Sequence, residues 1–216
     1  MKQLICTGDS LAAMWPSGAR QIIKNDEFFE YHNGGAGIDL QIWLLLNHYL
    51  AYPNAKDYIV ISQFTGMNRL NVVLEGTSAT DDEWDYKNSL TGTMEKVANH
   101  AKKHTYYKLP PGASISGERK ICDLVAVHCM LADLGADVRV FRGWLGVMPP
   151  SVWEDCCRKY DKHGVSYTNE TYVETALNID ANPEAWLDEF HPGFELAKKT
   201  IYKILEALDK NDTTKY

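Results

Sequence analysis

A hydroxyl, an imidazole and a carboxylate are the groups in this 216-residue chain whose settings would suit nucleophilic chemistry. The hydroxyl is Ser10. The apolar run Leu4-Ile5-Cys6 breaks off into Gly8-Asp9-Ser10, which reads as a buried strand ending in a tight turn that presents the serine. In open α/β sheets the functional crevice lies outside the carboxyl ends of the strands, so the position suits a nucleophile. Near the other end of the chain, Asp188 and His191 stand three apart in Trp186-Leu187-Asp188-Glu189-Phe190-His191-Pro192. In one helical or turn-like loop that spacing lets the two side chains face the same way. A carboxylate beside an imidazole fixes its tautomer and stabilises the imidazolium formed when it takes a proton. Both features also have plainer readings. A serine after aspartate commonly caps a helix, and Asp188 would cap the last helix with His191 a surface residue.

The elements that must position these groups can be read in order. Residues 4–6 and 28–32 read as strands, and residues 57–63, with Tyr58-Ile59-Val60-Ile61, as the clearest strand of all. Residues 11–15 suit a helix up to Pro16, and residues 17–24 a further turn or two. Asn33-Gly34-Gly35-Ala36-Gly37 is a loop whose amides can face inward for want of bulky side chains. Leu40, Trp43, Leu44 and Leu46 predict a buried helix face over 38–49. The third strand runs into Phe64-Thr65-Gly66-Met67-Asn68, another polar, glycine-containing exit. Residues 71–88 are acidic and read as a surface loop, 89–104 as a helix facing inward through Met94, Val97 and Ala101, and 106–117 as a loop or lid. A long helix is expected over 118–134, closed by Gly135. A strand follows over 137–142, then a helix over 151–160 with Ser151 as N-cap, a mixed stretch over 165–184, and an amphipathic closing helix over 194–208. This alternation argues for an α/β layered fold with a mainly parallel sheet, most simply in one domain, with 71–117 as an insert.

Composition excludes some classes. Hydrophobic residues make up 45% and charged residues 24%, ordinary for a globular chain. The net charge of -7 argues against non-specific binding to nucleic acid or anionic membrane, and Lys102-Lys103-His104 reads as a solvated helix face. No apolar stretch approaches bilayer length. The start of the chain has no apolar signal-peptide core, which predicts a cytoplasmic protein, although export by another route or assembly into a particle would leave the same trace. Cys6, Cys122, Cys129, Cys156 and Cys157 lack metal-type spacing and read as reduced thiols, with Cys122 and Cys129 as small core residues. His100 and His104 stand at i, i+4 but have no evident third metal ligand, and His128 falls on an apolar helix face as a hydrogen-bonded core residue. Trp15, Trp144 and Trp153 suit a sugar- or acyl-lined cleft or, more simply, the core.

Taken with the strand exits, the set resembles the GDSL, or SGNH, hydrolase family, whose sequence blocks carry Ser, Gly, Asn and His in that order. Gly8-Asp9-Ser10-Leu11 matches the first block fully, and Gly34-Gly35-Ala36-Gly37 stands where the second block's glycine belongs. Gly66-Met67-Asn68 matches the Gly-x-Asn of the third, and Asp188-Glu189-Phe190-His191-Pro192 the Asp-x-x-His of the last. The family usually continues its Gly-x-Asn with Asp, where this chain has Arg69.

The resemblance implies a flavodoxin-like three-layer α/β/α sandwich that hydrolyses carboxylic esters, removing an acyl or O-acetyl group from a carbohydrate, a lipid or another small molecule, with no metal or cofactor. Ser10 would attack the carbonyl, His191 would take its proton, and Asp188 would orient His191. The amides of Ser10 and Gly37 (Gly35 as the alternative) and the side chain of Asn68 would hold the oxyanion. Two other outcomes would use the same residues or fold: acyl transfer to an acceptor other than water, or a binding or structural protein without turnover.

Overall fold

The computed structural model describes residues 1–32, 37–65, 69–74, 89–93, 107–108, 117–144, 148–188 and 191–209; residues 10, 32, 69–74, 89–93, 107–108 and 118 are described by their backbone alone. The strands are β1 (Gln3–Gly8), β2 (Glu27–His32), β3 (Tyr58–Phe64), β4 (Arg69–Leu74), β5 (Ser89–Thr93), β6 (Tyr107–Lys108), β7 (Asp137–Arg142) and β8 (Ser166–Tyr167). The α-helices are α1 (Pro16–Ile22), α2 (Ile38–Ala51), α3 (Gly117–Asp133), α4 (Pro150–His163), α5 (Tyr172–Ile179) and α6 (Phe194–Asp209).

Five of the strands form a parallel sheet in the order β2-β1-β3-β7-β8. That is the flavodoxin-like doubly wound order, with helices on both faces. A central strand of such a sheet is covered on both sides, so it reads as a continuous apolar run rather than an alternation. β1 is buried at every residue. Its side chains divide between two cores, as the period of two requires. Ile5, Val60, Val138 and Val140 face the core built with α2, α3 and α4 through Leu45, Leu124, Val125 and Trp153. Leu4, Cys6, Ile61 and Phe141 face the other, with Trp15, Ala19, Tyr172, Ala197 and Ile201. The result is the expected three-layer α/β/α arrangement.

Toward the carboxyl edge of the sheet the apolar run gives way to buried polar residues, Thr7, Asp9, Ser62, Gln63 and Thr65. Ser62 is absorbed by the core: its hydroxyl lies 2.9 Å from His128 Nε2, and His128 Nδ1 lies 2.9 Å from the Tyr160 hydroxyl. His128 is the hydrogen-bonded core residue that its helix face predicts. A buried ion pair, Lys120 Nζ to Asp39 at 2.6 Å, ties the first turn of α2 to that of α3. Gly135 ends the turn after α3 with φ +99°, a conformation open to glycine and strained for residues with a Cβ.

Several expectations are corrected. Residues 71–74 belong to β4 and residues 89–93 to β5, antiparallel partners in a second sheet ordered β5-β4-β6, rather than to a loop and a helix. The loop reading of 71–88 leans on the acids beyond residue 74 and overlooks Leu70-Asn71-Val72-Val73-Leu74, rich in strand-favouring side chains. The helix reading of 89–104 leans on Met94, Val97 and Ala101, which lie outside the described residues; Thr91, Gly92 and Thr93 are poor helix formers. Helix α4 starts at Pro150 with Pro149 as N-cap, not Ser151, because proline's fixed φ and missing N–H suit the first turn. Residues 11–13 form a 3₁₀ turn with Ser10. The mixed stretch resolves into β8 and α5, the latter opened by a reciprocal capping box between Thr171 and Glu174. All five cysteines are unbridged, but Cys122 is exposed where a core position was expected. It lies in the groove between α3 and α4 instead of under the helix.

Candidate active site

The serine turn is built from Asp9. Its backbone carbonyl accepts from Ala12 N–H at 3.0 Å, and its carboxylate Oδ1 accepts from Leu11 N–H at 3.1 Å. These bonds close a 3₁₀ turn whose first residue is Ser10, placed immediately beyond the carboxyl end of β1. The carboxylate is held from below as well. Gln63, at the end of the neighbouring strand β3, donates through Nε2 to Asp9 Oδ1 at 2.7 Å and accepts through Oε1 from the Trp15 indole at 2.9 Å.

Two glycines make room for that amide. A Cβ on Gly8 would stand 2.8 Å from Gln63 Oε1, and one on Gly143 would stand 2.3 Å from Gln63 Nε2. The glycine of Gly-Asp-Ser-Leu thus serves close packing. Gly143 follows β7, and its N–H donates to the Phe64 carbonyl at 3.2 Å, fixing the exit of β7 against that of β3.

The next residue, Trp144, reaches from that exit into the site. Its indole N–H donates to Asp9 Oδ2 at 2.8 Å. Its ring meets the His191 imidazole with centroids 5.4 Å apart and planes at 86°, an edge-to-face arrangement. His191 Nδ1 lies 2.9 Å from both oxygens of Asp188, and Asp188 Oδ1 also accepts the His191 backbone N–H at 2.9 Å. Asp188 therefore clasps both the ring and the backbone of His191 rather than capping the last helix. The loop carrying the pair is itself closed: Leu187 N–H donates to the His191 carbonyl at 2.7 Å, Gly193 N–H to the Ala185 carbonyl at 2.8 Å, and Trp186 bridges to Pro192. The His191 side chain is three-quarters buried while Asp188 faces solvent.

The α2 N-terminus opens at the same edge. Gly37 is its buried N-cap, in extended conformation with φ −94° and ψ 172°. In the first turn, Gln41 Nε2 donates to the Gln63 carbonyl at 2.7 Å, which seats the helix start beside the end of β3. A helix N-terminus presents amides and a partial positive charge suited to an anion. Gly35 and Asn68, the other oxyanion candidates, lie outside the described residues, as do His100 and His104. Among the described residues no group of three His, Cys, Asp or Glu side chains is placed to hold a metal ion.

This geometry brings Asp188 and His191 to the carboxyl edge of the sheet, in contact through Trp144 with the aspartate that shapes the Ser10 turn. The overall form has counterparts among solved structures. A member of the lipolytic protein G-D-S-L family from Veillonella parvula superposes with a TM-score of 0.57 at 14% identity, over 97% of this chain and 100% of the other. The fold is that of the SGNH hydrolases. The psychrotrophic esterase EstA from Pseudoalteromonas sp., inhibited by monoethylphosphonate, matches with a TM-score of 0.53 at 10% identity over 97% of this chain and 100% of its own. A catalytic mutant of Axe2, an acetylxylan esterase from Geobacillus stearothermophilus, matches with a TM-score of 0.53 at 10% identity, covering 98% of this chain and 94% of the other. No family model matches the sequence, and no curated protein matches it.

Sequence reading misses three residues of this edge. Asp9 registers only as part of a motif and Gln63 only as a strand end, while Trp144 reads as a cleft or core residue with no link to Asp9 or His191. The available signal is positional. Gly143-Trp144 is a strand exit with a glycine, like the exits of β1, β2 and β3, yet it reads as plain loop. Trp15 and Trp153, by contrast, are core residues.

Proposed function

We propose that this chain is a serine hydrolase of carboxylic esters, with Ser10 as nucleophile, His191 as general base and acid, and Asp188 as the group that orients His191. The observation that carries the proposal is the Asp188–His191 clasp, held through Trp144 against the Asp9 turn that bears Ser10. The fold shared with two named esterases supports it.

The chemistry follows from the groups. The Ser10 hydroxyl adds to the ester carbonyl while its proton passes to His191 Nε2; Nδ1 faces Asp188, which fixes the tautomer and balances the imidazolium charge. The tetrahedral oxyanion is held by the amides of Ser10 and Gly37 at the α2 N-terminus and by the Asn68 side chain. Collapse of the intermediate expels the alcohol, which takes the proton from His191 and leaves an acyl-Ser10 ester. Water then repeats the sequence: His191 removes its proton, the second tetrahedral intermediate breaks down, and the carboxylic acid leaves as Ser10 regains its proton. Preorganised donors at the oxyanion are worth roughly 100- to 1000-fold each in rate.

Hydrolysis of p-nitrophenyl acetate and butyrate by wild type and Ser10→Ala tests the proposal. The expected outcome is turnover by wild type that falls to background in the variant. Equal rates in both proteins would contradict it.

A further inference from the structure

Trp144 is not one of the groups that exchange protons or bonds in the proposed reaction, yet it touches both halves of the site. Its indole N–H is anchored on Asp9 Oδ2 at 2.8 Å, one residue before the nucleophile, and its ring stands edge-to-face with His191 at 5.4 Å. The anchor is itself rigid. Asp9 is covered completely, and its other oxygen is fixed by Leu11 N–H and Gln63 Nε2. Gln63 in turn is wedged between Gly8 and Gly143 and bonded to buried Trp15. The ring of Trp144 therefore stands on a braced support while the histidine loop stands on another element.

An imidazole clasped at Nδ1 by an exposed carboxylate can still tilt through small concerted changes in χ1 and χ2, which move Nε2 toward or away from the nucleophile. A ring packed against the imidazole at nearly a right angle blocks that tilt. We infer that Trp144 is a positioning residue, which sets the orientation of His191 relative to the Ser10 turn by bracing the imidazole from the Asp9 carboxylate. The inference rests on the ester-hydrolase reading of the site and adds to it a residue with no part in the bond changes.

The role separates the two features of the indole. Trp144→Leu removes the flat wall and the Asp9 anchor together, whereas Trp144→Phe keeps an aromatic wall and loses only the N–H. Misplacement of a reacting group by about 1 Å costs on the order of 100-fold in rate. With p-nitrophenyl acetate, Trp144→Leu is expected to lose roughly 100-fold in kcat with KM within about twofold of wild type. Trp144→Phe, whose ring has no hold on Asp9, should recover only part of that loss. In parallel, the downfield proton resonance of the His191 Nδ1–H should be visible in wild type and Trp144→Phe and exchange-broadened in Trp144→Leu, a readout independent of turnover. It is assigned by its disappearance in His191→Ala.

A wild-type enzyme that is active, with Trp144→Leu at wild-type kcat and an unchanged imidazole resonance, would overturn the positioning role and leave the hydrolase reading standing. A raised KM at unchanged kcat would also overturn it, since that marks a substrate contact. A wild type that turns over no ester and takes up no fluorophosphonate would overturn the hydrolase reading, and the catalytic meaning of the brace with it. Equal thermal melting of the three folded proteins excludes unfolding as the cause of any loss.

Discussion

At Gly143 a methyl group would sit 2.3 Å from Gln63 Nε2, inside any permitted contact. Gly143→Ala must push the amide away, and the amide is what holds Asp9 Oδ1. The expected cost is roughly 1–3 kcal/mol of stability, the range for overpacking a filled interior, together with reduced esterase activity. Urea denaturation of the variant and wild type measures the first, and a midpoint within error of wild type would contradict the packing described. At this scale the sequence is most informative where a side chain carries its own chemistry. Ser10, Asp188 and His191 stand out by type and spacing. Asp9, Gln63 and Trp144 do not, because hydrogen bonding across three strand exits depends on which strands become neighbours, and no local pattern records that.

The elements that seat the site are joined by buried charge as well as apolar contact. Asp39 in the first turn of α2 and Lys120 in the first turn of α3 are both nearly inaccessible and 2.6 Å apart. Removing one partner of such a pair leaves an uncompensated charge in the interior, which typically costs about 3–5 kcal/mol. Lys120→Met is expected to fall in that range by thermal or urea unfolding, and the double variant Asp39→Leu/Lys120→Met to recover most of the loss. A single variant as stable as wild type would show that the pair does not hold α2 against α3. Most α/β elements are legible because strands buried on both faces give apolar runs and surface helices give periodic stripes. The short β4 and β5 are hidden by acidic and helix-like neighbours whose stronger patterns dominate the window. Helix α5 is hidden for a different reason: only eight residues long, its capping box is its clearest signal.

Across the molecule, buried histidines make stability depend on pH. Burial pushes His128 down to about 3 and His48 down to about 4, the latter against a partial upward pull from Glu27. Both lie below the ordinary value near 6.5, so on acidification the unfolded chain takes up protons before the folded one. Their contribution is complete above about pH 6.5 and is lost as the pH falls from there toward the folded values. By pH 5.5 the loss reaches about 1.4 kcal/mol per histidine. Melting temperatures measured from pH 7.5 to 5 should therefore decline below 6.5, and a flat profile there would contradict the burial of both rings as neutral groups. No helix among the described residues is long and apolar enough to cross a membrane. The layered order of the whole chain is readable because alternating strands and helices leave few ways to cover a parallel sheet. The second, antiparallel sheet is not, since its strand pairing is non-local and its strands are short.

Covalent capture reads directly whether Ser10 is an activated nucleophile. Wild type, Ser10→Ala and His191→Ala would be treated with a fluorophosphonate probe, and the adduct located by peptide mass spectrometry. One adduct is expected on Ser10 in wild type, none in Ser10→Ala, and strongly slowed labelling in His191→Ala. Absence of labelling in wild type, or an adduct that persists in Ser10→Ala, would contradict that role for Ser10.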